Sequence, residues 1–271
     1  MPELPEVETI VRDLDRLVSG ATIQRVEVLK ADLIRGAGAA DFERALRKRK
    51  IRGISRRAKN IVLDLGDDRL VVNLGMTGRL LAIDADAPLP DYLGVRFDLD
   101  RGRRMLYRDV RRFGRLELVS ADVWQKRQAK LGIEPLGPEF TPELLHELAG
   151  ASRVALKTWL MDQKRVVGVG NIYASEALFR AKIDPRKPAR TLTRPRARRL
   201  RDAIQEVLRE AIEFRGTTLL DYRDAAGEEG AFARRLRVYD RKGEPCTVCG
   251  TPIRRIVQGG RSTFFCPTCQ K

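Results

Sequence analysis

Four cysteines, the only ones in the chain, fall within its last 26 residues as Cys246-x2-Cys249-x16-Cys266-x2-Cys269. Two close thiol pairs separated by a loop of that length match a tetrahedral structural zinc site, so the tail is constrained to fold around one ion. Two disulfides or a redox dithiol are the rival readings, but no secretory signal and no thioredoxin-like context accompanies the cysteines. Four sulfurs close the coordination sphere and leave no position for an activated water. Such a zinc holds shape and supplies much of the folding free energy of a segment with little core. Between the pairs, Ile253 to Val257 and Ser262 to Phe265 read as two strands turned at Gly259-Gly260, with Arg261 near the tip.

At 271 residues the chain has room for about two domains. Lys plus Arg is 53 against 37 Asp plus Glu, a net charge of +16 that must face something anionic. Nine basic residues and no acid lie between Arg44 and Lys59, and Arg103, Arg104, Arg108, Arg111 and Arg112 follow in a second run. Nucleic acid is the natural polyanion, because each phosphate neutralised releases counterions and adds affinity. An anionic membrane surface is the rival, and it lacks a basic amphipathic helix with exposed aromatics. No apolar run approaches the roughly 20 residues of a membrane span, and the first thirty residues do not read as a secretory signal. The single histidine, His146, excludes chemistry that needs two.

The apolar pattern predicts an α+β chain. Val7, Ile10, Leu14 and Leu17 share one helical face over residues 5–18, with Pro5 suited to the first turn and Gly20 to the stop. From 21 to 119 the period becomes two, in Thr22–Leu29, Ile61–Leu65, Leu70–Leu74, Val95–Leu99 and Arg115–Val119, the pattern of a β-sandwich with flanking helices. After Gly132 the pattern turns helical, with Pro135–Pro142 as linker. The clearest helix spans about 194–214, and its arginine-rich first turns oppose the helix macrodipole unless an anion lies nearby. Domain boundaries are expected at 1–133, 134–235 and 236–271.

The chain opens Met1-Pro2-Glu3-Leu4-Pro5-Glu6. Removal of Met1, which a small second residue permits, would leave Pro2 a free secondary amine. An N-terminal amine titrates near pH 8, so a useful fraction can attack a carbon electrophile at neutral pH. Glu3 and Glu6 lie within one helical turn and could move protons. Phe113, in Arg111-Arg112-Phe113-Gly114, could serve as a wedge between base pairs. Read alone, the acidic turn is simply favourable for a helix and the phenylalanine for a core.

The opening Pro2–Thr9, Leu74-Gly75-Met76-Thr77-Gly78, Arg111–Gly114, Val166–Glu176 and the four-cysteine tail occur in one order, and together they resemble the formamidopyrimidine-DNA glycosylase family. The resemblance spans the chain. It implies a base-excision repair enzyme with an N-terminal β-sandwich, a helix–two-turn–helix domain and a zinc-finger hairpin, and with damaged duplex DNA in the cleft between domains. It implies a Schiff base on Pro2, with Glu3 as acid/base, and elimination on both sides of the excised nucleotide. Met76, Arg111 and Phe113 would fill the vacated stack, pair with the orphaned cytosine and wedge the adjacent step. Lys59, Asn171 and Arg261 would hold phosphates, and Glu6 would line the substrate site. One structural zinc on Cys246, Cys249, Cys266 and Cys269 is expected, as is a monomer acting in the bacterial cytoplasm on nucleoid DNA.

Departures from the family pattern bear on specificity. Asn73 stands where the family commonly has a phosphate-contacting histidine, Val110 replaces a frequent proline, and Asp240 replaces a common glycine. The segment 217–237, carrying Gly227-Glu228-Glu229-Gly230, corresponds to the loop that closes over the extruded base. Two alternatives stay open: an endonuclease VIII-type enzyme for oxidised pyrimidines, and a non-catalytic DNA-binding protein.

Overall fold

The first helix, α1 (Leu4–Val18), turns Val7, Ile10, Val11, Leu14 and Val18 inward. Its start is fixed by polar chemistry: Glu3 is the N-cap, Pro5 occupies the first turn, and the Glu6 carboxylate accepts the Glu3 N–H at 2.8 Å. One of the amides that a helix start leaves unpaired is thereby satisfied. The computed structural model describes residues 2–218 and 223–271, which form two units. One comprises Met1–Ala129 with Phe214–Ala231, the other Lys130–Glu213 with Phe232–Lys271.

The first unit continues with β1 (Ile23–Val28), β2 (Ile34–Arg35), α2 (Ala39–Leu46), β3 (Gly53–Arg57), β4 (Asn60–Asp64), β5 (Asp68–Asn73), β6 (Gly78–Asp84), β7 (Leu93–Leu99), β8 (Arg103–Asp109), β9 (Arg115–Ser120) and α3 (Ala121–Gln128). The strands make an antiparallel sheet of order β1-β7-β8-β6 and a mixed sheet of order β2-β9-β5-β4-β3, in which only β2 and β9 run parallel. Ile23, Val95, Phe97, Met105 and Tyr107 from the first sheet share one core with Ile61, Leu63, Leu70, Val72 and Leu116 from the second, and with the apolar face of α1. Trp124 of α3 covers Val62, Val71 and Val119 on the outer face of the second sheet. The expected α+β class and sandwich are borne out.

The described residues 214–218 and 223–231 pack back on this unit although the preceding helix belongs to the other. Ala225 joins the shared core, and its carbonyl accepts from Ala82 N–H at 3.2 Å. Arg215 bridges the buried carboxylates of Asp13 on α1 and Asp224, each at 2.5 Å.

The second unit holds α4 (Pro142–Ala149), α5 (Leu156–Leu160), α6 (Asn171–Arg180) and α7 (Arg194–Glu213). Both α4 and α6 pack on α7, burying Leu145, Tyr173, Leu178, Leu200, Ile204 and Leu208. Arg180 reaches Glu206 at 3.2 Å and Glu210 at 2.6 Å across the α6–α7 seam. A hairpin of β10 (Arg254–Gln258) and β11 (Arg261–Phe265) pairs Gln258 with Arg261 around Gly259-Gly260. Both glycines have positive φ, +53° and +71°, as a tight two-residue turn requires. Among the described residues no helix is long and apolar enough to cross a membrane.

Candidate active site and nucleic-acid interface

Pro2, Glu3 and Glu6 are all buried at the head of α1; Met1, whose removal the sequence predicts, lies outside the described residues. Glu6 is 2% exposed, and both its oxygens are engaged: Oε2 by Glu3 N–H and Oε1 by Thr217 N–H, each at 2.8 Å. Two residues on, Glu8 accepts from Arg56 Nε at 3.0 Å, and Arg56 also donates to the Ala58 carbonyl at 3.0 Å. The β3–β4 turn, with Ala58 at φ +55° and Lys59 beside it, is thereby tied to the early turns of α1. Asn73 holds the same turn from β5, donating to the Lys59 carbonyl at 3.4 Å and to Asn60 Oδ1 at 3.0 Å. Its own Oδ1 accepts Gly75 N–H at 3.1 Å. This amide thus holds the local geometry of the two turns.

Met76 projects from the β5–β6 loop, and Arg111 and Phe113 from the β8–β9 loop. Met76 is 41% and Phe113 53% exposed, large apolar side chains held in solvent as an interaction site would hold them. The Arg111 guanidinium lies 4.6 Å from the centre of the Phe113 ring. The two loops touch through backbone. Gly75 has φ +58°, and a Cβ there would come within 2.6 Å of Gly114 N, so only glycine permits the approach. Beneath them the Tyr107 hydroxyl is pushed above its usual titration range by burial and by the neighbouring Asp109 carboxylate.

Asn171 and Arg261 stand on the second unit. Asn171 opens α6, donating from Nδ2 to the Tyr239 hydroxyl at 3.4 Å and accepting at Oδ1 from Lys157 Nζ. Lys157 is 1% exposed, and its ammonium also donates to the Ser262 carbonyl and the Thr263 hydroxyl, both at 3.0 Å. It therefore links the start of α6 to β11, the strand that begins with exposed Arg261. Glu176, five residues further along α6 and fully buried, accepts the N–H groups of Arg237, Val238 and Tyr239 at 2.9 to 3.1 Å. Burial raises its carboxyl above the ordinary range against the pull of those three donors and Arg180.

Sequence reasoning passes over Lys157 and Asp109. The only signal for Lys157 is a lone lysine inside the apolar run Leu156-Lys157-Thr158-Trp159-Leu160. Of the segment 217–237, residues 219–222 lie outside the described residues. Glu228 and Glu229 are exposed, while Asp224 beside them is buried and accepts the N–H groups of Ala226 and Glu228 at 2.9 Å.

The four cysteine sulfurs lie within 4.8 Å of one another, with 3.9 Å between Cys246 and Cys269 and 3.5 Å between Cys249 and Cys266. Bonds of about 2.3 Å in a tetrahedron put sulfurs roughly 3.8 Å apart, so the donor set fits one structural zinc. Backbone N–H groups of Val248 and Cys269 point at the sulfurs of Cys246 and Cys266, at 3.5 and 3.4 Å. Phe179 of α6, Val238, Ile253 and Phe264 form the small core that docks this module on its helix.

Comparison with known proteins follows this geometry along the chain. Residues 1–116 match the formamidopyrimidine-DNA glycosylase N-terminal domain, 131–222 the formamidopyrimidine-DNA glycosylase H2TH domain, and 243–271 the zinc finger found in FPG and IleRS. Formamidopyrimidine-DNA glycosylases of Symbiobacterium thermophilum and Desulforamulus reducens are each 44% identical over all of this chain, covering 89% and 99% of their own length. A point mutant of the Lactococcus lactis Fpg, solved with Fapy-dG containing DNA, superposes with a TM-score of 0.92 at 35% identity over 100% of both chains. The Lactococcus lactis Fpg with abasic-site DNA gives 0.91 at 35% identity over 99% of both. With a buried Pro2-Glu3 start, exposed Met76 and Phe113 on facing loops and a closed four-sulfur tail, matched from end to end, the chain belongs to the formamidopyrimidine-DNA glycosylase family.

Proposed function

We propose that this protein excises oxidised purines, 8-oxoguanine and formamidopyrimidines, from duplex DNA and then cleaves the strand at the resulting site. The observation that carries the reading is the enclosure of Pro2 and Glu3 at the head of α1, in the same unit that exposes Met76, Arg111 and Phe113. In this reading the amine of Pro2, freed by loss of Met1, attacks C1′ of the extruded nucleotide as the base departs with the glycosidic electron pair. The product is a ring-closed aminal; loss of the amine proton lets the nitrogen lone pair expel O4′ from C1′, and the iminium so formed is the Schiff base. Glu3 donates a proton as the sugar ring opens and then serves the eliminations that expel the 3′ and 5′ phosphates, leaving a one-nucleoside gap. Lys59, on its turn beside α1, neutralises phosphate next to the lesion and assists catalysis.

The remaining residues grip or sense the duplex. Met76 fills the vacated stack, Arg111 donates two parallel hydrogen bonds to the orphaned cytosine, and Phe113 wedges the adjacent step. Asn171, with the backbone amides at the start of α6, and Arg261 hold further phosphates. Glu6 and Asn73 belong to the substrate site as residues that fix its backbone. Zinc on the four cysteines supplies rigidity to the hairpin that presents Arg261, and no bond-making step needs it. Functionally the chain divides into a catalytic part (1–133), a helix–two-turn–helix part (134–235) and a zinc finger (236–271). It acts as a monomer on nucleoid DNA in the cytoplasm.

Borohydride trapping tests the proposal: a reduced covalent adduct with a duplex carrying 8-oxoguanine opposite cytosine forms only if an amine attacks the sugar. Blocking the terminal nitrogen by acylation should abolish the adduct, and intact mass of the unblocked protein should show one methionine missing. An adduct mapped to an internal lysine, or none with the wild type, overturns the assignment. Oxidised pyrimidines are the second reading, favoured by one observation: a Lactococcus lactis Fpg at 36% identity has been solved with DNA containing an oxidised pyrimidine. Faster cutting of thymine glycol than of 8-oxoguanine would select that reading.

A further inference from the structure

Neither the Met76 loop nor the Arg111–Phe113 loop is a regular element, yet one buried carboxylate fastens both. Asp109, the last residue of β8, accepts the Thr77 hydroxyl at 2.5 Å and Arg111 N–H at 3.3 Å on Oδ1. On Oδ2 it accepts Gly114 N–H at 2.8 Å and the Tyr107 hydroxyl at 3.4 Å. The Thr77 oxygen, adjacent to Met76 in sequence, also accepts Arg111 N–H at 3.0 Å. Both ends of the turn that carries Arg111 and Phe113 therefore hang on Asp109, and so does the residue after Met76. Within that turn Arg112 has φ +54°, a conformation that a side chain larger than glycine adopts when its surroundings impose it.

Among the described residues the four donors to this carboxylate are amides and hydroxyls, with no cation among them. Burying an anion in that way costs free energy unless each lone pair is used. Here each is used, and the return is geometric. We propose that Asp109 is a positioning residue that sets the relative placement of Met76, Arg111 and Phe113, so that the three enter the base stack as one body. It would govern base extrusion and reading of the opposite base, and not the chemistry at Pro2. The inference rests on the glycosylase reading above.

Asp109→Asn separates these roles. An amide presents one oxygen and one NH2, so one side of the group turns from acceptor to donor: either Gly114 N–H loses its acceptor, or an NH2 is set against Arg111 N–H, which then keeps Thr77 Oγ1 alone, while hydroxyls can rotate to accept. Single-turnover excision of 8-oxoguanine opposite cytosine should slow by about 100-fold, whereas cleavage of a preformed abasic site, which has no base to extrude, should change by less than about threefold. The fluorescence rise of 2-aminopurine beside the lesion, which reports unstacking, should shrink in parallel. Should Asp109→Asn fail to fold, Thr77→Val and Thr77→Ser decide: valine should reproduce the selective loss and serine restore excision. Equal loss of both activities with the 2-aminopurine signal intact, or no change in either, overturns the inference. A wild type that forms no trapped adduct would instead defeat the glycosylase reading itself.

Discussion

Glu6 and Thr217, 211 positions apart in the chain, are joined by one hydrogen bond of 2.8 Å from the Thr217 N–H to Glu6 Oε1. The other oxygen of the same carboxylate holds the N–H of Glu3. One buried side chain thus fixes the backbone next to the proposed nucleophile and the root of the segment that returns to the sandwich. A glutamine in its place can accept with one oxygen only and must turn an NH2 toward a backbone N–H. Glu6→Gln should therefore cost about 1–3 kcal/mol of stability and slow excision of 8-oxoguanine by about tenfold or more. Urea unfolding and single-turnover cleavage measure the two effects. Wild-type values in both would mean that the carboxylate does not set the site.

Arg111 is exposed, with its guanidinium 4.6 Å from the centre of the Phe113 ring. Arg111→Lys keeps the charge but loses the planar pair of donors. It should lower the ratio of cleavage opposite cytosine to cleavage opposite adenine by about tenfold, the loss expected when one good bidentate contact worth roughly 1–3 kcal/mol is removed. Overall affinity for undamaged duplex should barely change, since phosphate contacts remain. An unchanged cytosine-to-adenine ratio would remove Arg111 from opposite-base sensing.

Periodicity made α1 and α7 legible to within two residues, because their apolar faces repeat at three and four over many turns. Cysteine spacing did the same for the zinc module, and the hairpin strands sit one residue from where the pattern predicts them. What escaped has physical reasons. In β8, Met105, Leu106 and Tyr107 are buried in succession between arginines, so no alternation appears. The edge strand β3 offers a single apolar residue, Ile54, in an arginine-rich run, and β6 follows the motif Leu74–Gly78 without a turn signal. Helix α2 is too short for a period to stand out. The return of the described residues 214–218 and 223–231 to the first unit depends on Glu6, Asp13 and Asp224 meeting backbone amides and Arg215, contacts without a repeating signature. Lys157 and Asp109 stayed hidden for the same reason: each works through buried polar bonds to residues distant in sequence or across a turn.

Zinc removal should separate folding from grip. The small cluster of Phe179, Val238, Ile253 and Phe264 is too little core to hold residues 243–271 alone, and structural zinc in comparable modules contributes about 10–16 kcal/mol of apparent binding free energy. Cys266 is buried and Cys249 exposed, so Cys266→Ser should be the more damaging of the two. Chelation or Cys266→Ser should abolish binding to lesion duplex in a gel-shift assay while leaving the sheet signal in circular dichroism. Metal content should fall from one zinc per chain to none. Full DNA affinity at zero zinc would show that the hairpin presents Arg261 without help.

Glu176 gives a pH test with a defined sign. Its carboxyl is raised by burial above the ordinary value of 4.5 in spite of three backbone donors and Arg180. When pH rises past the ordinary value, an unfolded chain ionises this group before the folded chain does. Folding then loses stability, by at most about 1.4 kcal/mol per pH unit, until the folded carboxyl ionises as well. Glu176→Gln removes the titration. The stability of the wild type relative to the glutamine variant should therefore fall as pH rises above the ordinary carboxyl value of 4.5, measured as the difference between their urea midpoints. A difference that instead grows in favour of the wild type would mean that the amides of Arg237, Val238 and Tyr239 outweigh burial and hold the group ionised, and that the tie between α6 and the zinc module is strongest at neutral pH.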